Sequence, residues 1–82
     1  MKNFPSQVRA ARGLLNLTQQ DLADISRVSL RTIVQLERGD KQPSLSIAQA
    51  LKLSLEAAGV EFIPENGGGG VGVRLKKTSS TE

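Results

Sequence analysis

Only three residues, Arg27-Val28-Ser29, separate two stretches with helical periodicity, and this short link constrains the fold more than any other feature of the chain. A connection of that length forces two helices to cross steeply, because there is too little chain for an open antiparallel return. The first of the two stretches opens behind Thr18-Gln19-Gln20-Asp21, a capping box in which Asp replaces the usual Glu or Gln. Asp21 also favours the positive end of the helix dipole, and the spacing predicts a helix from Gln19 to about Ser26. The second stretch, LRTIVQLER, follows Val28 and a capping Ser29 and ends before Gly39. Leu22, Ala23, Ile25, Val28, Ile33 and Leu36 recur where two such helices share a core, and the small Ala23 permits their close approach.

The rest of the chain is built around this pair. Ser6 is positioned to cap a first helix ending at Leu15, with Val8, Ala11, Arg12 and Leu15 along one face. After Asp40-Lys41-Gln42-Pro43, Ser44 caps a fourth helix from Leu45 to Ala58, which Gly59 ends. Its core face reads Leu45, Ala48, Leu51 and Leu55, and a second apolar face reads Ile47, Ala50, Leu53 and Ala57. Val60–Ile63 and Val71–Leu75 are β-rich runs around Pro64-Glu65-Asn66 and four consecutive glycines, which predicts a strand pair or hairpin. The expected organisation is an all-α, compact four-helix domain over 1–59, a short C-terminal β element over 60–75, and a flexible polar tail over 76–82. A chain of 82 residues holds one core of this kind.

Composition removes most chemistries. With no Cys and no His, thiol catalysis, zinc sites and nucleophile–imidazole pairs are excluded, so no catalytic residues, metal or cofactor are expected. No apolar run is long enough to span a bilayer and the N-terminal MKNFPSQV lacks a signal peptide's apolar segment, so the expected location is cytoplasmic, away from membranes. Gly67, Gly69 and Gly72 satisfy G-x-G-x-x-G, but no helix and no acidic residue follow at the required spacing, and a hairpin turn explains them better. The net charge of +3 is compatible with a polyanionic partner and is weak evidence by itself.

Placement of side chains is more informative. With Ile33 and Leu36 turned inward, the helical period turns Leu30, Arg31, Val34, Gln35 and Arg38 outward on the opposite side. Arg31 can donate a fork to guanine O6 and N7, and Gln35 can pair with adenine N6 and N7, each worth ~1–3 kcal/mol of discrimination. Leu30 or Val34 can touch a thymine methyl. Gln35 alone reads as an ordinary exposed polar residue; Arg31, Gln35, Gln19 and Lys41 together on one side read as a DNA-contacting surface.

The segment LTQQDLADISRVSLRTIVQLERGDKQPS resembles the Cro/C1-type helix-turn-helix of phage repressors, the xenobiotic-response-element (XRE) class. The resemblance covers about residues 6 to 58 and is carried by Thr18-Gln19, Leu22-Ala23, Val28-Ser29, Ile33, Leu36-Glu37, Gly39 and Pro43-Ser44 in the family's spacing. It implies a lambda-repressor-like fold that docks its third helix in the major groove of double-stranded DNA. By position it implies phosphate contact at Thr18 and Gln19, base contact at Ser29, Leu30, Arg31 and Gln35, and a structural ion pair between Arg12 and Glu37. Arg38, Lys41, Gln42 and the N–H groups around Ser44 are expected on the flanking phosphates. One position departs from the family: the turn usually holds Gly, with a positive φ, and here holds Arg27, at a cost of ~1 kcal/mol.

Short members of this family resemble phage and mobile-element repressors and the controller proteins of restriction–modification systems, which implies a homodimer on an inverted-repeat operator. The second face of the fourth helix and the strands are then expected to be buried together at the dimer interface, through Ile47, Leu53, Val60, Phe62, Ile63, Val71 and Val73, with the strands forming a sheet with their mates. The ending GVEFIPENGGGGVGVRLKK is similar to that of many short bacterial members. A different class of function, an antitoxin or anti-activator holding a protein partner through its C-terminal strand edges, is the alternative.

Overall fold

The computed structural model describes residues 3–40 and 42–77. Four helices, α1 (Phe4–Leu15), α2 (Gln19–Ser26), α3 (Leu30–Arg38) and α4 (Leu45–Ala58), precede two strands, β1 (Val60–Ile63) and β2 (Gly72–Leu75). Three helices start as the hydroxyl residues dictate. Thr18, Ser29 and Ser44 each accept from the backbone N–H three positions on, at 2.9, 3.1 and 3.2 Å, which satisfies one otherwise orphaned donor per helix. Asp21 returns a bond to the Thr18 N–H at 2.9 Å, so the capping box is complete with Asp in its third position. Gly39 ends α3 at φ 78, the left-handed conformation that a residue without Cβ adopts freely.

The first helix begins earlier than its hydroxyl suggests. Its cap position is Asn3, and Pro5 occupies the first turn, where a missing N–H leaves no bond unmade. Ser6 therefore sits inside α1, where its Oγ accepts from Arg9. The second strand likewise starts at Gly72, one residue after Val71.

The core draws Phe4, Val8 and Ala11 from α1, Leu22 and Ala23 from α2, Val28 from the turn, and Ile33 and Leu36 from α3, closed by Ala48, Leu51 and Leu55 of α4 and by Val60 of β1. β1 and β2 pair antiparallel within the one chain, with Val60 opposite Leu75 and Phe62 opposite Val73. A lone two-stranded hairpin is marginal in water; this one lies on α1 and α4, with Phe62 stacked on Phe4 at 6.1 Å between ring centroids.

Two residues expected in the core lie outside it. Ile25 is 48% exposed, because the inward stripe of α2 passes through Leu22, Ser26 and Ala23 and leaves Ile25 just beyond its Leu22 edge. Ser26 tolerates that half-buried place by donating to the Leu22 carbonyl at 2.7 Å and accepting from the Val28 N–H at 3.2 Å. Leu45 is 69% exposed, at the edge of the α4 stripe and in its first turn. Ile47 and Ala50, read as part of a second face, instead pack on the core from the side.

Candidate nucleic-acid interface

Helix α3 presents two faces. Ile33, Leu36 and Glu37 are buried; Leu30, Arg31 and Arg38 are exposed, and Val34 and Gln35 lie half-buried on the same outer side. Arg31 and Gln35 are one turn apart, so a guanidinium and an amide project from neighbouring positions on one face. Ser29, at the head of this face, uses its hydroxyl locally: Oγ donates to Thr32 Oγ1 at 2.8 Å while accepting from the Thr32 N–H.

The α3–α4 loop flanks this face. Thr32, Gln35 and Leu36 meet Gln42, Pro43, Ser44 and Ile47 around an open hollow of about 230 Å³. Thr32 was not singled out from the sequence, although its position three residues before Gln35 and three after Ser29 places it there. Arg38 pairs with Asp40 at 2.9 Å on the surface, an exposed contact of ~0–1 kcal/mol that a phosphate can replace. Lys41, expected on a phosphate, lies outside the described residues.

Behind the face stands a buried carboxylate. Arg12 of α1 reaches Glu37 with Nε to Oε2 and Nη2 to Oε1, both at 2.7 Å. The same guanidinium donates to the Leu17 carbonyl at 3.0 Å, tying the α1–α2 link to the pair. Glu37 holds the Arg12 pKa above the ordinary arginine value, chiefly through the side-chain hydrogen bond. Its carboxylate points away from the outer face, so α3 presents no inward-turned negative charge to a polyanion.

Gln19 shares this network, which its position in the sequence did not reveal. Its Nε2 donates to Glu37 Oε1 at 3.0 Å, leaving one amide hydrogen and the carbonyl oxygen for an outside partner. Arg9 adds another contact that sequence reasoning missed, donating to the main-chain carbonyl of Glu37 near the α3 C-terminus. Its spacing of three from Arg12 on one helix face is the signal that predicts it. Among the described residues, no buried side-chain nitrogen or oxygen lacks a partner.

The turn retains the geometry that glycine usually serves. Arg27 takes φ 62 and ψ 22 and donates its N–H to the Ala23 carbonyl at 2.9 Å. Arg27 itself thus takes the left-handed conformation.

The residues expected at a dimer interface are not equivalent. Val60 is enclosed by the chain's own core and has no surface for a second chain, which corrects its assignment. Ile47, Phe62 and Val73 also pack on that core, and Ile63 is half-buried; Val71 and Leu53 are exposed. The strands are already partners of one another, so the hairpin needs no mate to pair its inner edge.

A short α2, a tight turn and a capped α3 with a basic and amidic outer face define a helix-turn-helix unit. Residues 8–56 match the helix-turn-helix family, and the chain belongs to it, in the Cro/C1-type class. It is 46% identical over 48 residues to an uncharacterized HTH-type transcriptional regulator of Methanocaldococcus jannaschii, covering 58% of this chain and 68% of that one. The protein is therefore a DNA-binding transcriptional regulator. Among the described residues no helix is long and apolar enough to cross a membrane.

Proposed function

We propose that the protein is a homodimeric repressor that places two copies of α3 in successive major grooves of an inverted-repeat operator, about 34 Å apart. The observation that carries this reading is the division of α3: Ile33, Leu36 and the Arg12-bound Glu37 hold one side, while Leu30, Arg31, Val34 and Gln35 face outward. Arg31 and Gln35 read bases, and Leu30 and Val34 supply apolar contact to thymine methyls. Ser29 contacts a base edge through its remaining acceptor capacity.

Phosphates on either side are held by Thr18 and Gln19 at the start of α2, by the N–H groups behind Ser44 at the start of α4, and by Arg38, Lys41 and Gln42. Repression follows where the operator overlaps a promoter, and a site upstream of the protein's own gene makes it an autoregulatory controller. Footprinting on that upstream DNA tests the reading, with two protected half-sites expected about one helical turn apart. Changing Arg31 and Gln35 together to Ala is expected to abolish preference for the footprinted site over scrambled DNA. Unchanged preference overturns the recognition-helix assignment.

A further inference from the structure

The homodimer requires a surface, and two exposed apolar side chains that adjoin across one hollow, outside the readout face, point to one. Leu53 on α4 is 65% exposed, and Ile25 on α2 stands beside it with its own side chain half in solvent. Together with Ser54, Ala57 and Ala58 they line an open hollow of about 450 Å³ between the two helices, with no charged residue in its lining. Nothing in the DNA-reading geometry uses these positions.

Charge on the flank of Leu53 opposite the hollow is arranged in a self-complementary way. Lys52 and Glu56 are one turn apart on the same flank of α4, on the side of Leu53 away from Ile25. Among the described residues the ion pairs are Arg12–Glu37, Arg38–Asp40 and Arg74–Glu61, so neither Lys52 nor Glu56 is spent in one. The Lys52 ammonium lies 5.9 Å from the Phe62 ring centroid.

We infer that a second copy of the chain docks on this face, with the two α4 helices crossing antiparallel at Leu53–Ser54. A two-fold axis perpendicular to both helices at residue 54 exchanges position 52 with position 56. Lys52 then meets the partner's Glu56, and Glu56 meets the partner's Lys52. Leu53 meets the partner's Leu53 at the centre, and Ile25 closes the apolar side. An interface about a two-fold must match its own surface; an apolar centre flanked by a plus and a minus at equal distances from the axis meets that requirement with no further partner. This inference rests on the homodimer reading and locates its interface on α2 and α4 rather than on the hairpin.

The experiment is sedimentation analysis of the full chain as wild type, K52E, E56K and an equimolar mixture of the two variants. Each single variant opposes like charges twice per dimer and is expected to self-associate about tenfold or more weakly. The mixture is expected to recover a heterodimer near wild-type affinity, because the all-negative flank of one chain then faces the all-positive flank of the other. An L53E chain, checked for helix content by circular dichroism, is expected to be monomeric. A dimeric wild type whose variants and mixture all behave alike overturns this surface and leaves the homodimer standing. A monomeric wild type that still protects two half-sites independently overturns the homodimer reading itself, and this surface with it.

Discussion

Glu37 of α3 receives a hydrogen bond of 2.7 Å on each carboxylate oxygen from Arg12 of α1, and Gln19 of α2 adds one of 3.0 Å. One carboxylate thereby fixes the mutual orientation of three helices, including the one that carries the readout face. Replacing Arg12 with Leu leaves that carboxylate, only 4% exposed, with Gln19 as its remaining side-chain partner, and is expected to cost about 3 kcal/mol by urea unfolding. Replacing both residues with Leu is expected to recover most of the loss, since no buried charge then remains. The raised arginine pKa gives stability that is fully present below the ordinary arginine value and lost only as pH rises through the raised one.

Arg27 at φ 62 carries a Cβ where the backbone is left-handed. Its change to Gly relieves ~1–2 kcal/mol of strain and adds ~0.5–1 kcal/mol of unfolded-state freedom, so a net gain of about 0.5–1 kcal/mol is expected in thermal unfolding. The same change at Asn16, at φ 60, is expected to gain less, because Asn tolerates this region. Equal gains at both sites count against the strain account.

Val60 links the hairpin to the helical core. Val60→Ala is expected to destabilise the whole protein by about 2 kcal/mol, from the lost apolar contact and the cavity left behind. Amide exchange read alongside the unfolding curve should show β1 and β2 opening together with the helices. A hairpin that exchanges freely while the helices remain protected contradicts this coupling.

Glu61 and Arg74 face each other across the two strands, with Nε to Oε1 at 2.9 Å and Nη2 to Oε2 at 3.2 Å. The Arg74 hydrogen bonds hold the Glu61 carboxyl below the usual glutamate value. A lowered carboxylate pKa contributes stability present above the unfolded-state value and lost as pH falls through the folded one, so the pair weakens in acid. An NMR titration is expected to place Glu61 below an ordinary glutamate and, in Arg74→Ala, to return it to the ordinary range. No change in Arg74→Ala excludes Arg74 as the cause.

Much of the fold is local and so was legible in the sequence. Thr18, Ser29 and Ser44 bond to N–H groups three residues away, and Gly39 and Gly59 terminate helices by their own backbone freedom, so boundaries at these points need no distant partner. The start of α1 escaped because Pro5 and Asn3 compete with the more familiar signal of Ser6. The inner and outer faces of α3 follow from the 3.6-residue period, since two buried residues a turn apart determine where the others point.

The remaining decisions are tertiary. Periodicity places Ile25 and Leu45 among apolar residues, but which edge of a stripe is covered depends on the neighbouring helix, and both edges are left in water. Gln19 carries no mark in the sequence of its bond to Glu37, since the partners lie 18 residues apart and meet only when α2 packs across α3. The hairpin shows the division most clearly: β-rich runs and glycines specify two strands, whereas Val60 becomes core only because β1 packs on α1 and α4. Local hydrogen bonds and backbone preferences are encoded over three or four residues; burial depends on surfaces that exist only after the elements have packed.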